Sequence, residues 1–181
     1  GHGEPVVPVA DLERAAFVGQ LELTALEDHP VLVAQDRHQH LVDQPRAQRP
    51  PVDVEEARER IKDQIYLSPF PYSETISRMS GNRVFFKLEN LQMTGSFKER
   101  GALNRLLTLT PEQAARGVIA ASAGNHGMAV AFHSRRLGIA ATIVMPHHAP
   151  LIKVSRVRQY GAQVLLHGDD YDMAFAEAHR Q

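Results

Sequence analysis

Two short segments of the 181-residue chain hold side chains that could carry out chemistry. The first is Thr94–Gly101, in which Lys98 lies one position inside a predicted helix start. The positive end of the helix dipole and any burial of the side chain both disfavour a charged ammonium there. Both effects therefore favour the neutral amine that a Schiff-base lysine requires. A solvated helix lysine is the competing interpretation, and the neighbouring Phe97 could either offer a flat surface to a ring or fill the core.

The second segment is Ser122–Gly127, between a predicted strand and a predicted helix. Backbone amides at a helix start form an anion site, and Gly124 and Gly127 permit close approach of a ligand. The Asn125 amide can donate or accept a hydrogen bond toward a ring substituent. The segment is neither a dinucleotide-binding glycine fingerprint nor a phosphate-binding P-loop. An ordinary strand-to-helix turn explains it equally well.

Strands and helices that alternate along the chain must position both segments. The predicted strands are Arg83–Leu88, Val118–Ser122, Ala141–Met145 and Gln163–His167. The predicted helices are Val54–Ile65, Ser73–Ser80, two that begin with capping boxes at Ser96–Glu99 and Thr110–Gln113, one that ends at Leu137, Pro150–Tyr160 and Asp170–Arg180. This alternation predicts an α/β fold, an open parallel sheet with helices on both faces. Ligands bind such sheets beyond the carboxyl ends of the strands, where both segments fall.

The beginning of the chain differs in composition from the rest. Residues 1–51 contain six of the eleven prolines, no lysine, and eight acidic residues against four arginines. We predict a leader of uncertain, loosely ordered structure over residues 1–52, followed by a regularly patterned unit over residues 53–181. The leader's His29, His38 and His40 are not joined by acidic or cysteine ligands at a convincing spacing, so no metal site is predicted.

The overall composition excludes several kinds of protein. The chain contains no cysteine, which removes disulfides, cysteine-ligated zinc and thiol catalysis. Its net charge of −1 gives no reason to expect nucleic acid as a partner. No apolar run approaches the roughly 20 residues that cross a bilayer. We expect a cytoplasmic protein without membrane partners, which does its chemistry with Lys, His, Ser or a cofactor.

The residues around both segments resemble one enzyme family. Lys87–Gly95 followed by Ser96–Ala102, and then Ser122–His126, strongly resemble the threonine dehydratase (threonine ammonia-lyase) family of fold-type II pyridoxal-phosphate enzymes, which share the tryptophan synthase β-like fold. Further matches follow in the family's order at Val144–Pro146, Ala149–Lys153, Tyr160–Ala162 and Val164–Asp169. The resemblance covers residues 53–181 and none of residues 1–50.

The resemblance implies a role for each matching residue. Lys98 matches the lysine that holds pyridoxal 5'-phosphate as a Schiff base and later moves the Cα proton of the substrate. Phe97 matches the residue packed beside the cofactor ring, and Asn125 matches the residue that hydrogen-bonds the pyridine 3-oxygen. The loop that holds the substrate carboxylate is matched by Ser122, Gly124, Asn125 and His126.

The reaction implied by the resemblance is β-elimination from a small amino acid. L-Threonine would give 2-oxobutanoate and L-serine would give pyruvate, each with ammonia. The family's glycine-rich phosphate-binding loop normally lies further along the chain, and no such loop occurs up to Gln181. We therefore expect the first portion of a dehydratase, with little or no activity by itself and a possible homo-oligomer at full length. The usual His-Ala-Gln is replaced here by His126-Gly-Met128, a change that could alter substrate preference.

Other functions compete with this interpretation. A serine racemase would need a hydroxyl opposite the lysine, where this chain has Ala123, and an alanine cannot exchange a proton. Cysteine-synthase-like β-replacement uses a different lysine neighbourhood and a Thr-rich substrate loop. A protein of another class, a non-catalytic remnant that only binds a ligand or partner, is the third alternative. The resemblance does not decide between threonine and serine.

Overall fold

A five-stranded sheet organises the molecule. The computed structural model describes Glu22–Thr24, Leu32–Gln35 and residues 51–181. The strands are β1 (Glu22–Thr24), β2 (Leu32–Gln35), β3 (Val118–Ala121), β4 (Ala141–Met145) and β5 (Gln163–Leu166). They lie in the order β1-β2-β3-β4-β5. β1 runs antiparallel to β2, and every other neighbouring pair is parallel.

Helices connect the parallel strands, as the sequence predicts. They are α1 (Pro51–Ile61), α2 (Glu74–Ser80), α3 (Lys98–Leu107), α4 (Pro111–Arg116), α5 (Asn125–Leu137), α6 (Leu151–Gln159) and α7 (Tyr171–Arg180). Sequence signals at their ends are confirmed where the structure shows the caps. Thr110 forms the predicted capping box with Gln113, and Asp170 accepts from the Met173 amide. Gly138 closes α5 with a φ of 69°, a left-handed conformation that favours glycine.

The core lies on both faces of the sheet. On one face, α5 packs against β3 and β4, α3 packs against α5, and α6 packs against α5 and β5. Met128, Ile143 and Val157 are almost wholly buried there. On the other face, α7 packs Ala174 and Ala178 against neighbouring strand residues. Successive residues of a strand point to opposite faces, so β3 and β4 contribute to both cores. The predicted α/β fold with helices on both faces is confirmed.

The leader contains two strands that the sequence did not predict. β2 pairs in parallel with β3, with Leu32 opposite Val118 and Ala34 opposite Ala120. Strands of three and four residues are too short to display an alternating pattern, so only their pairing reveals them. The predicted loose order of the remaining leader residues, and its three histidines, lie outside the described residues.

The strand predicted over Arg83–Leu88 is wrong. This segment makes a single isolated bridge, between Tyr72 and Phe85. The Phe85 ring lies 5.6 Å from the Phe70 ring and 5.4 Å from the Tyr72 ring, measured between centroids. The aromatic residues that suggested a strand therefore form a local cluster outside the sheet. Within the described residues, no helix is both long and apolar enough to cross a membrane.

Candidate active site

Lys98 is the first residue of α3 and is only 8% exposed. Its Nζ lies 5.3 Å from the centroid of the Phe97 ring, which is 36% exposed. The capping box predicted at Ser96 and Glu99 is wrong, because the helix begins at Lys98, one residue later than that box requires. The Ser96 hydroxyl instead accepts from the Lys98 amide at 3.4 Å, and the Glu99 carboxylate accepts from the Thr94 amide. The helix start thus holds a buried amine beside a partly exposed aromatic ring.

A buried ion pair braces the loop that leads to Lys98. Arg100 donates from Nε and Nη2 to the two carboxylate oxygens of Glu89, each at 2.8 Å. The Ser68 hydroxyl donates to Glu89 at 2.6 Å. Burial by itself would raise the pKa of Glu89, but the hydrogen bonds from Arg100 and Ser68 outweigh it, and the pKa lies below its ordinary value. The loop is therefore tied to the first turn of α3 by charge as well as by chain connectivity.

The loop that follows β3 is organised by Ser122. Its Oγ accepts from the backbone amides of Gly124 at 3.2 Å and Gly127 at 3.1 Å. Two of the amides expected to hold an anion are therefore engaged within the loop. Since the oxygen already accepts twice, the hydroxyl hydrogen is what Ser122 can offer to a ligand. A Cβ on Gly127 would lie 2.9 Å from both Ser122 O and Ile143 Cγ2, so this close approach requires glycine unless the neighbours move.

Asn125 is exposed at the first position of α5. Its Oδ1 accepts from Lys153 Nζ at 2.8 Å. An ammonium group can only donate, so the amide oxygen faces Lys153 and the NH₂ group faces away from it. His126, the next residue, is 1% exposed, and its ring lies in the protein interior. Of the two residues, only Asn125 presents its side chain to solvent.

α3 and α5 pack side by side. Glu99, next to Lys98, lies 3.5 Å from His133 of α5. One to two turns further along each helix, Leu107 and Leu137 pack against the same apolar cluster. Contacts that advance in the same direction indicate that the two helices run roughly parallel. Asn125 comes directly after the loop that follows β3, so it lies at the end of the sheet where β3 finishes, the usual ligand edge of a parallel sheet. Lys98 lies beside the middle of α5, since its neighbour Glu99 contacts His133, the ninth residue of that helix.

The sequence that forms this site matches a known protein family. A family model described as "pyridoxal-phosphate dependent enzyme" matches residues 61–181. The chain belongs to the pyridoxal-phosphate dependent enzyme family. The resemblance noted from the sequence is thus confirmed, and the cofactor of the family is pyridoxal phosphate, as predicted. Within the part of the chain that the structure describes, no three His, Asp or Glu side chains converge as a metal site.

Individual members of the pyridoxal-phosphate dependent family are similar over most of the chain. An L-threonine ammonia-lyase of Thermotoga maritima is 46% identical over 128 residues, 71% of this chain and 32% of that protein. A processed threonine deaminase isoform of Solanum lycopersicum is 35% identical with a TM-score of 0.66, covering 77% of this chain and 40% of that one. A serine racemase of Dictyostelium discoideum is 35% identical with a TM-score of 0.67, covering 71% of this chain and 42% of that one. The chain thus spans about a third of the length of the curated relative, by the 32% given above.

The residues present fit the cofactor's ring. Phe97 offers an apolar face beside the Lys98 amine, and Asn125 directs its NH₂ group away from Lys153. These residues would hold the pyridine ring and its 3-oxygen. No two of the 12 glycines are adjacent, so the chain contains no glycine-rich loop for the phosphate. The individual roles of Lys98, Phe97, Asn125 and the Ser122–His126 loop stay predictions.

Sequence reasoning missed the charged groups that support the site. Lys153, one of four lysines, belongs to a motif that resembles the family, but nothing in that motif predicts its contact with Asn125. The Glu89–Arg100 pair, 11 residues apart, and the Glu99–His133 pair have spacings that no single helix or strand explains. Only the tertiary fold brings these partners together.

Proposed function

We propose that the full-length protein catalyses pyridoxal-phosphate dependent β-elimination of L-threonine or L-serine, to ammonia and 2-oxobutanoate or pyruvate. The observation that carries the proposal is the buried Lys98 at a helix start beside the Phe97 ring. It occurs in a chain that is 46% identical to an L-threonine ammonia-lyase. A small amino acid is the partner, and its carboxylate is the group that the Ser122 loop would bind.

Each residue contributes a distinct action in this proposal. Bound pyridoxal phosphate supplies an electron sink for the negative charge that develops at the substrate Cα. Lys98 would hold the cofactor, and its Nζ would accept the Cα proton of the substrate while the β-hydroxyl leaves. The Ser122 hydroxyl donates to the substrate carboxylate, because its oxygen is already occupied by two amides. Asn125 donates its NH₂ group to the ring 3-oxygen, and Phe97 shields one side of the ring from water.

The decisive experiment measures 2-oxo acid release from L-threonine and L-serine by the full-length protein. We expect both 2-oxo acid and ammonia in equal amounts, and we expect the Lys98→Ala variant to lose at least about 1,000-fold in kcat/KM, as for removal of a covalent catalytic group. Lys62→Ala is the matched control, since Lys62 is an exposed lysine directly after α1 and is paired with Glu59. A Lys98→Ala variant with wild-type turnover would contradict the proposal.

Serine racemisation is the second candidate, and the similarity to the Dictyostelium serine racemase favours considering it. Racemisation requires a proton donor on the side opposite Lys98. Ala123 lies at the predicted place for that donor and packs against the apolar core. Its methyl group cannot transfer a proton, so elimination is the stronger proposal. D-Serine that forms from L-serine faster than pyruvate does would reverse this order.

Three further expectations accompany the proposal. The 181-residue chain alone should release little or no ammonia from threonine, because the glycine-rich loop of the family is not among its residues. Its complete failure to bind pyridoxal phosphate would favour the non-catalytic binding remnant. A cytoplasmic location and a homo-oligomeric full-length enzyme are the remaining expectations.

A further inference from the structure

We propose that the buried Glu99–His133 pair positions Lys98, by tying the loop and first turn around this lysine to α5. The proposal concerns two residues that the reaction above does not use. It rests on the proposed function only for what Lys98 does chemically. The tie itself is a property of the folded chain and can be tested without cofactor.

The pair lies entirely within the protein. Glu99 and His133 are both 0% exposed. One carboxylate oxygen of Glu99 accepts from the Thr94 amide, and the other lies 3.5 Å from His133 Nε2. Within the described residues, neither this second oxygen nor His133 Nε2 makes a hydrogen bond of ordinary geometry, so each is the polar atom available to the other. Two buried polar atoms with only each other available must face each other, because leaving either unsatisfied is costly.

The contact between His133 and Glu99 has a donor side and an acceptor side, and Arg136 determines which is which. Its Nη1 lies 3.5 Å from His133 Nδ1, and the same nitrogen donates to the Gln64 carbonyl at 3.2 Å. A guanidinium group only donates, so Nδ1 is the acceptor in this contact and Nε2 is left as the donor. The Nε2 hydrogen points at Glu99. The contact therefore requires an acceptor at position 99 and a donor at position 133.

The carboxylate is suited to this acceptor role. Burial by itself would raise the pKa of Glu99, but the hydrogen bonds from His133 and Thr94 outweigh it, and the pKa lies below its ordinary value. Glu99 is thus ionised at neutral pH. It also lies in the first turn of α3, where the helix dipole favours a negative charge.

The geometry explains why Lys98 is the residue that is positioned. Phe97, which precedes α3, provides no side-chain cap. In place of a side-chain cap, the Glu99 carboxylate accepts from the Thr94 amide, which precedes Lys98, and contacts His133 of α5. Lys98 therefore lies between two anchored points. Because α5 also begins with Asn125, the same contact fixes Lys98 relative to the loop that follows β3.

Because the contact needs an acceptor at position 99 and a donor at position 133, glutamine substitutions at these two positions can test it. Glu99 faces two donors, the Thr94 amide and His133 Nε2, and its two oxygens can accept from both. In Glu99→Gln only one oxygen remains, so the NH₂ group faces one of these two donors. His133→Gln keeps a donor at that place and should be tolerated. The double variant Glu99→Gln/His133→Gln can pair amide with amide, so it should recover what the first variant loses. A buried pair that merely fills space would show no such recovery.

Hydrogen exchange of the backbone amides from Thr94 to Arg100, in the full chain without cofactor, is the direct readout. We expect Glu99→Gln to accelerate exchange there about 10-fold, since one buried partner is lost, while the double variant stays within about 3-fold of wild type. The amides of β4 should be unchanged in both. The matched control is Glu177→Gln. Glu177 belongs to α7, on the opposite face of the sheet, and its buried carboxylate lies 3.9 Å from His167 Nε2.

The outcomes separate this proposal from the proposed function. Exchange in Glu99→Gln that equals the Glu177→Gln control, or a double variant no better than Glu99→Gln, overturns the positioning role. If Glu99→Gln does not fold, a double variant that folds supports the pair, and one that also fails to fold overturns it. In the loaded full-length protein, we expect the visible absorbance of lysine-bound pyridoxal phosphate to fall in Glu99→Gln and to return in the double variant. Lack of cofactor on Lys98 in the wild-type protein would refute the proposed function and leave the exchange result to judge the pair.

Discussion

The buried Glu89–Arg100 pair allows a quantitative prediction for the residues that support Lys98. Glu89→Gln removes the charge that accepts two 2.8 Å hydrogen bonds from Arg100 and leaves that guanidinium largely buried without a counter-charge. Breaking one side of a fully buried pair costs about 3–5 kcal/mol. The two side chains are 15% and 11% exposed, so we expect the lower end, about 3 kcal/mol. For a chain of this size that corresponds to a fall in Tm of about 10 °C.

Thermal unfolding followed by circular dichroism provides the assay, with Glu59→Gln as the control. Glu59 also pairs with a basic residue, Lys62, but both side chains are more than half exposed, at 66% and 51%. Water and salt screen such a pair, so its loss should not change Tm measurably. A Glu89→Gln variant that melts with the Glu59→Gln variant would refute the reasoning.

The effect of Glu89→Gln should also depend on pH. The folded-state pKa of Glu89 is lowered, so its contribution to stability is fully present above the ordinary carboxyl pKa. It is lost as the pH falls through the lowered pKa of the folded state. The stability difference between wild type and Glu89→Gln should therefore be constant near neutral pH and shrink in acid below about pH 4.5. A difference that grows in acid would contradict the assigned sign.

Four further substitutions test other parts of the structure. Gly117→Ala should lower the free energy of unfolding by about 2–4 kcal/mol in a denaturant titration, because φ is 85° and a Cβ would lie 2.8 Å from a backbone oxygen. Gly81→Ala, with a φ of 69° but open space around it, should cost only about 1 kcal/mol, and equal losses would contradict the steric argument. Thr110→Ala should cost about 1 kcal/mol by removing the cap of α4, and thermal unfolding that shows no loss would contradict that role. Lys153→Met removes the hydrogen bond that orients the Asn125 amide, and the loss of one such bond should weaken pyridoxal phosphate binding by the full-length protein about 3-fold. A spectroscopic titration measures this, and unchanged binding would show that Asn125 is oriented without Lys153.

The second half of the chain could be predicted closely from the sequence. β4 has the predicted bounds, and the predicted ends of α5 and α7 are confirmed at Leu137 and Arg180. In these elements the local signals agree with the tertiary environment. Glycine or an acidic cap lies at the helix ends, and an apolar run supplies each buried strand.

Predictions failed where tertiary contacts decide the structure. β2 is defined by pairing with β3, more than 80 residues away along the chain from Leu32 to Val118, and its own sequence is too short to show a period. The Phe85 region reads as a strand because aromatic residues favour strands, but here its rings pack on Phe70 and Tyr72.

In the candidate site, too, some residues could be predicted from the sequence and others depend on tertiary contacts. Lys98, Phe97 and Asn125 could be found because their motifs resemble a family. The Glu99 carboxylate, by contrast, was expected to bond the Ser96 amide, and it bonds the Thr94 amide instead. A buried partner on α5 and a helix that starts at Lys98 determine that choice, and neither can be read from the local sequence.

The central claim is that Lys98 carries the cofactor, and covalent trapping tests it most directly. The full-length protein would be incubated with pyridoxal phosphate, reduced with borohydride, digested and mapped by mass spectrometry. The chain offers Lys62, Lys87 and Lys153 as internal controls against Lys98. We predict that the pyridoxyl group is found on Lys98 and that Glu99→Gln lowers its yield. A label spread over the other three lysines, or one that Lys98→Ala leaves unchanged, would contradict this claim.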